Sequence, residues 1–231
     1  MPLNPGYDEL ADLLVPAEWP PAPEVQAALA NIISSRGMPA LQAAVSSGQY
    51  RHPDGLFYGG NSASWSNLSL RQALRRYATQ SRRLAWIDMH TGLGPSGVGE
   101  RISASRDDAT TLARARRWWG NAVTSIVEGS SSSARLEGLM WHAIEEECPQ
   151  AEYAGIALEF GTVPLLQVLQ ALRADQWLQN HPDAPSQQAV AIKQQLRAAF
   201  YVETDEWQQQ VLLQAAEAAR QAVSGLSDRD A

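Results

Sequence analysis

The sequence predicts an α/β fold: a mixed, mostly parallel sheet flanked by helices. Three observations predict it. Two short runs, "LAWIDMH" (84–90) and the core of "AEYAGIALEFGT" (154–160), are almost continuously apolar, as strands covered on both faces are. Segments with helical spacing of apolar residues stand before, between and after these runs, and strands alternating with helices imply a largely parallel sheet. The chain has 231 residues, 45% of them hydrophobic and 19% charged, enough to bury the core that such a sheet needs.

The first 25 residues hold "NPGYDEL" and "VPAEWPPAPE" and show no steady period, so an extended, Pro-rich lead-in is expected there. "PEVQAALANIISSRG" then has Val25, Ala28, Ile32 and Ile33 on one face and Gly37 after its end, a helix and its stop. "PALQAAVSSGQ" reads as a second short helix. Residues 50–67, "YRHPDGLFYGGNSASWSN", are a long ordered loop of the kind that carries function. "NLSLRQALRRYATQSRR" follows as an amphipathic helix with Leu70, Ala73, Leu74 and Tyr77 on one face. Beyond the first strand, Asp107 and Asp108 suit a helix N-terminus for "ATTLARARRWWG". "AVTSIVEG" reads as a strand, "GSSSSARLEG" as a turn and "LMWHAIEEE" as a helix. After the second strand, a helix starts at Thr162–Pro164 with Leu165, Leu169 and Leu172 inward. The last helix has Trp207, Val211, Ala215 and Ala218 in register. With no internal repeat and no clear linker, a single domain over 1–231 is expected.

A net charge of −7 argues against a general nucleic-acid binder, which needs a basic face for phosphates. Cys148 is the single cysteine, so neither an intramolecular disulfide nor a Cys-rich metal site can form, and a cytoplasmic setting is expected. The N-terminus lacks the basic and apolar regions of a secretory signal. No apolar run approaches a membrane span, so no membrane partner is expected.

Both buried strands end in a functional side chain, His90 in one and Glu159 in the other, with glycine following closely. Ligands and bases gather at the carboxyl ends of strands in open α/β sheets, where a buried strand is a rigid mount. Each residue taken singly can also be a polar strand end, and Glu159 can also pair with an arginine. His52 in "RHPDG" fits ordinary turn chemistry. His142 stands three residues before Glu145, a possible metal pair, yet "WHAIEEE" equally fits a partly buried histidine with its acids in water. His181 fits a helix end.

"DMHTGLGPSG" with "ALEFGT" downstream resembles the zinc metallopeptidases of the carboxypeptidase-A-like superfamily. The likeness is closest to a bacterial branch described only as a domain of unknown function, with succinylglutamate desuccinylases and aspartoacylases as relatives. "GLFYGGNSASWSN" is similar to that branch as well, so the resemblance spans roughly residues 4–200. It implies a zinc-carboxypeptidase-like fold whose opening strands are missing, and hydrolysis of an amide bond by metal-activated water. His90 matches the superfamily's later zinc-binding histidine, and Glu159 matches its general base. Asp88, on the same strand face, would orient His90 as a second-shell acceptor. Tyr58, Asn61 and Trp65 would belong to the substrate wall. A peptide or an N-acyl amino acid is the implied substrate.

The chain departs from the pattern in two respects. No His-x-x-Glu precedes His90, and the Asn-Arg segment that holds a substrate carboxylate is absent. The chain therefore looks like the C-terminal two-thirds of such an enzyme. Zinc is expected in a complete homologue and weak or absent in this chain, whose activity is expected to be impaired. A non-catalytic binding or assembly module is the other reading. Loss of opening strands would uncover a sheet edge, through which self-association is expected.

Overall fold

The structure, a computed structural model, describes residues 3–105 and 109–228. In chain order its elements are α1 (Pro5–Asp8), α2 (Ala11–Leu14), α3 (Pro23–Arg36), α4 (Met38–Ser46), α5 (Trp65–Tyr77), β1 (Arg83–Ser96), β2 (Gly99–Ser103), α6 (Ala109–Trp119), α7 (His142–Glu147), β3 (Glu152–Gly161), α8 (Leu165–Asn180), α9 (Ser186–Phe200) and α10 (Asp205–Ser227). They fall into two compact units. One comprises the described residues of Met1–Ser62 with Ala134–Glu137 and Val163–Tyr201. The other comprises Ala63–Ser133, Gly138–Thr162 and the described residues of Val202–Ala231.

The first unit is helical. Its opening residues are not the extended lead-in expected from their prolines. Pro5 sits in the first turn of α1, where a missing N–H costs nothing. Asn4 locks this start. Its Oδ1 accepts from Tyr7 N at 3.0 Å, and its Nδ2 donates to the carbonyls of Ala44 and Gly48, both at 2.8 Å. Tyr7, Leu10 and Leu14 are thereby buried against Leu29, Leu41, Val45, Leu56 and Leu169. A smaller cluster joins Ala174, Trp177 and Ile192 between α8 and α9. Loop 49–58 is organised by one buried amide. Gln49 Nε2 donates to the carbonyls of His52 and Leu56, while its Oε1 accepts from the backbone N–H of Arg51 and His52.

The second unit carries a three-stranded open sheet among the described residues, in the order β1-β3-β2. β1 and β3 are parallel and β2 and β3 antiparallel, so the sheet is mixed. The alternation of side chains along each strand divides it into two faces. Ala85, Ile87, Ala154, Ile156, Leu158 and Phe160 pack on one face under α6 and α10 with Trp118, Trp119, Trp207 and Ala218. Leu84, Trp86, Tyr153, Ala157 and Ile102 pack on the other, with Leu74 of α5 and with Trp141 and Ile144 at α7.

Three readings of this unit are corrected. "AVTSIVEG" is not a strand. It makes a single bridge, Thr124 to Ile102, before Ser130 Oγ accepts from Ser125 N and turns the chain away. Tyr77 is exposed at 73%, because α5 seats only Leu74 in the core and lays its remaining length on the surface. The acids of α7 are not all in water. Glu147 is gripped by Arg71 at 2.9 Å and Arg75 at 2.6 Å, which pull its carboxyl down to about 2. Asp107 and Asp108, expected to open a helix, lie outside the described residues.

Candidate functional site: a strand-end histidine–carboxylate cluster

His90 and Glu159 stand directly opposite each other in the parallel β1–β3 register, and Asp88 stands opposite Ala157. Residues in register share a face, so Asp88, His90 and Glu159 project from one side of the sheet. Regular pairing ends one residue later, at Thr91–Phe160, and β1 then bulges through "GLGP" to meet Gly161 at Ser96. The strand therefore runs past His90, the last residue of its apolar run, to Ser96. The bulge still aims the chain across the site, because Leu93 N–H donates to Glu159 Oε1 at 3.0 Å.

The two functional side chains differ in environment. Glu159 is only 8% exposed. Burial holds its carboxyl above the usual range, against the opposing pull of the Leu93 N–H and the His90 ring; the Glu100 carboxylate pushes the same way as burial. His90 Nε2 lies 3.0 Å from Asp88 Oδ2, and that hydrogen bond raises the imidazole's pKa despite partial burial. Both groups thus hold their protons to higher pH than usual, the carboxyl through burial and the imidazole through Asp88. Such a pair has the chemistry to exchange a proton with a bound group.

A fourth side chain belongs to this face and went unseen in the sequence. Glu100 of β2 pairs with Glu159 in the antiparallel register. Thr124 Oγ1 donates to it at 2.6 Å, and Ser132 donates both its backbone N–H, at 3.2 Å, and its hydroxyl. The Ser-rich turn is thus tied to the strand beside Glu159. Five residues, "GERIS", with one apolar member are too few to show a strand period, so neither β2 nor Glu100 could be read without the pairing.

Apart from Trp65, the remaining candidates have local partners of their own. Tyr58 donates to Asn61 Oδ1 at 2.7 Å in the first unit. Trp65 opens α5 in the second unit and is 81% exposed. His52 Nε2 meets Asp8 Oδ1 at 2.8 Å, and His181 closes α8 stacked on Trp177. His142 begins α7 with its ring edge-on to Trp141.

The sign of the pH dependence follows from the raised Glu159 carboxyl. Between the ordinary carboxylate value and the folded one, the folded protein keeps a proton that the unfolded chain has lost. Stability therefore falls as pH rises through that window. Glu159→Gln is expected to remove this fall, so its urea midpoint gains on the parent across that window. His90, whose pKa is also raised, has a consequence of the same sign. Its stabilisation is complete below the ordinary imidazole value and is lost as pH rises through the folded one, and Asp88→Asn should return the His90 NMR titration toward that ordinary value. Parallel midpoint curves for Glu159→Gln and parent would refute the assignment.

The geometry defines a mixed α/β protein with a polar histidine–carboxylate cluster at the ends of two parallel strands. A family model described as protein of unknown function (DUF2817) matches residues 1–214, and the chain belongs to that family. No curated protein and no solved structure matches it.

Proposed function

We propose that the strand-end cluster is the acid–base part of an amide-hydrolysing site of the carboxypeptidase-like kind, acting on a peptide or an N-acyl amino acid. The register that sets His90 opposite Glu159 carries this reading. In it, Glu159 takes a proton from the attacking water. His90, kept protonated by Asp88, gives one to the leaving nitrogen.

The residues present do not fit the zinc that the resemblance implies. A catalytic zinc takes three protein ligands and an open position. Among the described residues no three His, Cys, Asp or Glu side chains are placed to hold one metal ion. His90 Nε2 is already engaged by Asp88, and Glu100 is saturated by Thr124 and Ser132. No step is therefore routed through a metal, and stabilisation of the developing oxyanion is the missing component. The same saturation favours a second reading, a binding module that keeps the cluster for recognition. Among the described residues no helix is long and apolar enough to cross a membrane.

Elemental analysis of protein purified without chelating resin, run beside hydrolysis of a small peptide and N-acyl amino acid panel, tests both readings. The expected result is substoichiometric zinc with slow turnover that Glu159→Gln and His90→Ala each abolish. Stoichiometric zinc lost in His90→Ala would show that two ligands have been overlooked. Binding without turnover, unchanged in Glu159→Gln, would favour the module.

A further inference from the structure

β1 has the composition of an interior strand and the position of an edge strand. Every residue of β3 from Tyr153 to Gly161 is buried, whereas none of β1 from Arg83 to Thr91 is. Among the described residues no backbone hydrogen bond leaves the outer side of Leu84–Met89. Proteins normally blunt such an edge with lysine, proline or a covering element. Leu84-Ala85-Trp86-Ile87 carries neither lysine nor proline, and Met89 is 47% exposed.

A second bare surface stands on the same flank. α10 has one apolar seam in the core, Trp207, Val211, Ala215, Ala218 and Ala222. Beside it runs another that is exposed: Leu212, Ala216, Ala219, Val223 and Leu226, with Leu212 at 68% and Val223 at 62%. The spacing of 4-3-4-3 is that of a helix packed on another helix. The orientation of α10 is set by its contacts. Gln214 bonds Gly97 O and Gly99 N at one end, and Arg83 reaches the Asp228 carbonyl at the other, so α10 runs antiparallel to β1. Glu217 pairs with Arg101 of β2 at 3.4 Å. Glu217 lies about 140° around the helix from the exposed seam. The flank bearing Glu217 faces β2, so the exposed seam faces the other way, past β1.

We propose that this flank is an interface with a second copy of the chain, in which β1 pairs antiparallel with its counterpart and the two α10 helices pack across the same two-fold axis. Three features single out an identical copy. An unpaired edge strand is satisfied by another extended edge, and a two-fold satisfies both at once. The α10 seam has a leucine at each end and small residues near its middle, so antiparallel pairing close to Ala219 sets Leu212 near Leu226 and Ala216 near Val223. With strands about 4.8 Å apart and helices needing 8–10 Å, a helix seated over the β1–β3 pair meets its copy at packing distance. The two bare surfaces are thus continuous, and one symmetry operation covers both.

Sedimentation across a wide concentration range, with hydrogen exchange on the same samples, tests this. The parent should be a dimer in which the outward-pointing amides within Leu84–Met89 are protected at high concentration and exchange quickly on dilution, while those bonded to β3 stay protected throughout. Leu212→Lys with Val223→Lys changes exposed positions only. It should keep the parent circular dichroism and weaken the dimer about 100-fold or more. Met89→Lys should weaken it too, as a lysine on the edge does. A monomer throughout would overturn the proposal, and so would a dimer indifferent to these variants. A dimer lost in the α10 variant whose edge amides always exchange fast would overturn the strand pairing and leave a partnership of helices alone.

Discussion

Gly161→Ala is expected to destabilise the second unit by about 3 kcal/mol or more, as backbone overpacking does. A Cβ at Gly161 would sit against the carbonyl oxygens of Gly94 and Pro95, main-chain atoms that no rotamer change can move. The Gly161 carbonyl itself accepts from Gly97 N at 3.1 Å and from Trp207 Nε1 at 3.0 Å, so any displacement lengthens both bonds. The bulge that delivers the Leu93 N–H to Glu159 would move with it. Gly94→Ala is the control. Its φ of 91° disfavours a side chain, but a Cβ there meets nothing within 4 Å. It should cost only about 1 kcal/mol. Urea unfolding followed by tryptophan fluorescence separates the two, and equal losses at 161 and 94 would refute the close-approach argument.

Arg173→Met is expected to cost the first unit about 2–5 kcal/mol, the range for leaving two or more buried acceptors without donors. Arg173 is fully buried on α8. Desolvation lowers its pKa to about 10, which leaves the guanidinium charged at neutral pH. Its Nε donates to Leu14 O at 3.1 Å, its Nη2 to Leu13 O at 2.5 Å and its Nη1 to Gln170 Oε1 at 2.7 Å, and Trp19 stacks beneath it. Methionine keeps much of the volume and strands the two carbonyls at the end of α2 without donors. Limited proteolysis should then cut first within residues 11–22. A loss under about 1 kcal/mol would mean that water replaces the guanidinium at little cost.

The site was half legible. His90 and Glu159 announced themselves because each ends an apolar run and each precedes glycine, and their register pairing is the structural counterpart of that repeated pattern. Asp88 was legible by strand parity. Glu100 was not, because a five-residue strand has no period and its partner lies 59 positions on, at Glu159. Gly161 was legible only as the glycine after the second strand; that the fold requires an absent side chain where β3 passes the bulge was not.

What the sequence by itself determined is the set of elements whose signal is local. These are the apolar runs at 84–90 and 154–160, the helices with 3.6-residue apolar spacing, and the helix stop at Gly37. Tertiary structure alone decided where solvent ends. "LAWIDMH" and "AGIALEF" read alike, yet β3 is buried between two neighbours and β1 is left with one bare side. The Pro-rich opening folds into α1 and α2 because Asn4, Arg173 and the Leu29–Leu41–Leu56 cluster, 25 to 169 residues away from its start, satisfy its backbone and bury its apolar residues. The physical reason is the same in each case. Propensity and periodicity act over a few neighbouring residues, whereas desolvation and hydrogen-bond satisfaction depend on which distant segments the fold brings into contact.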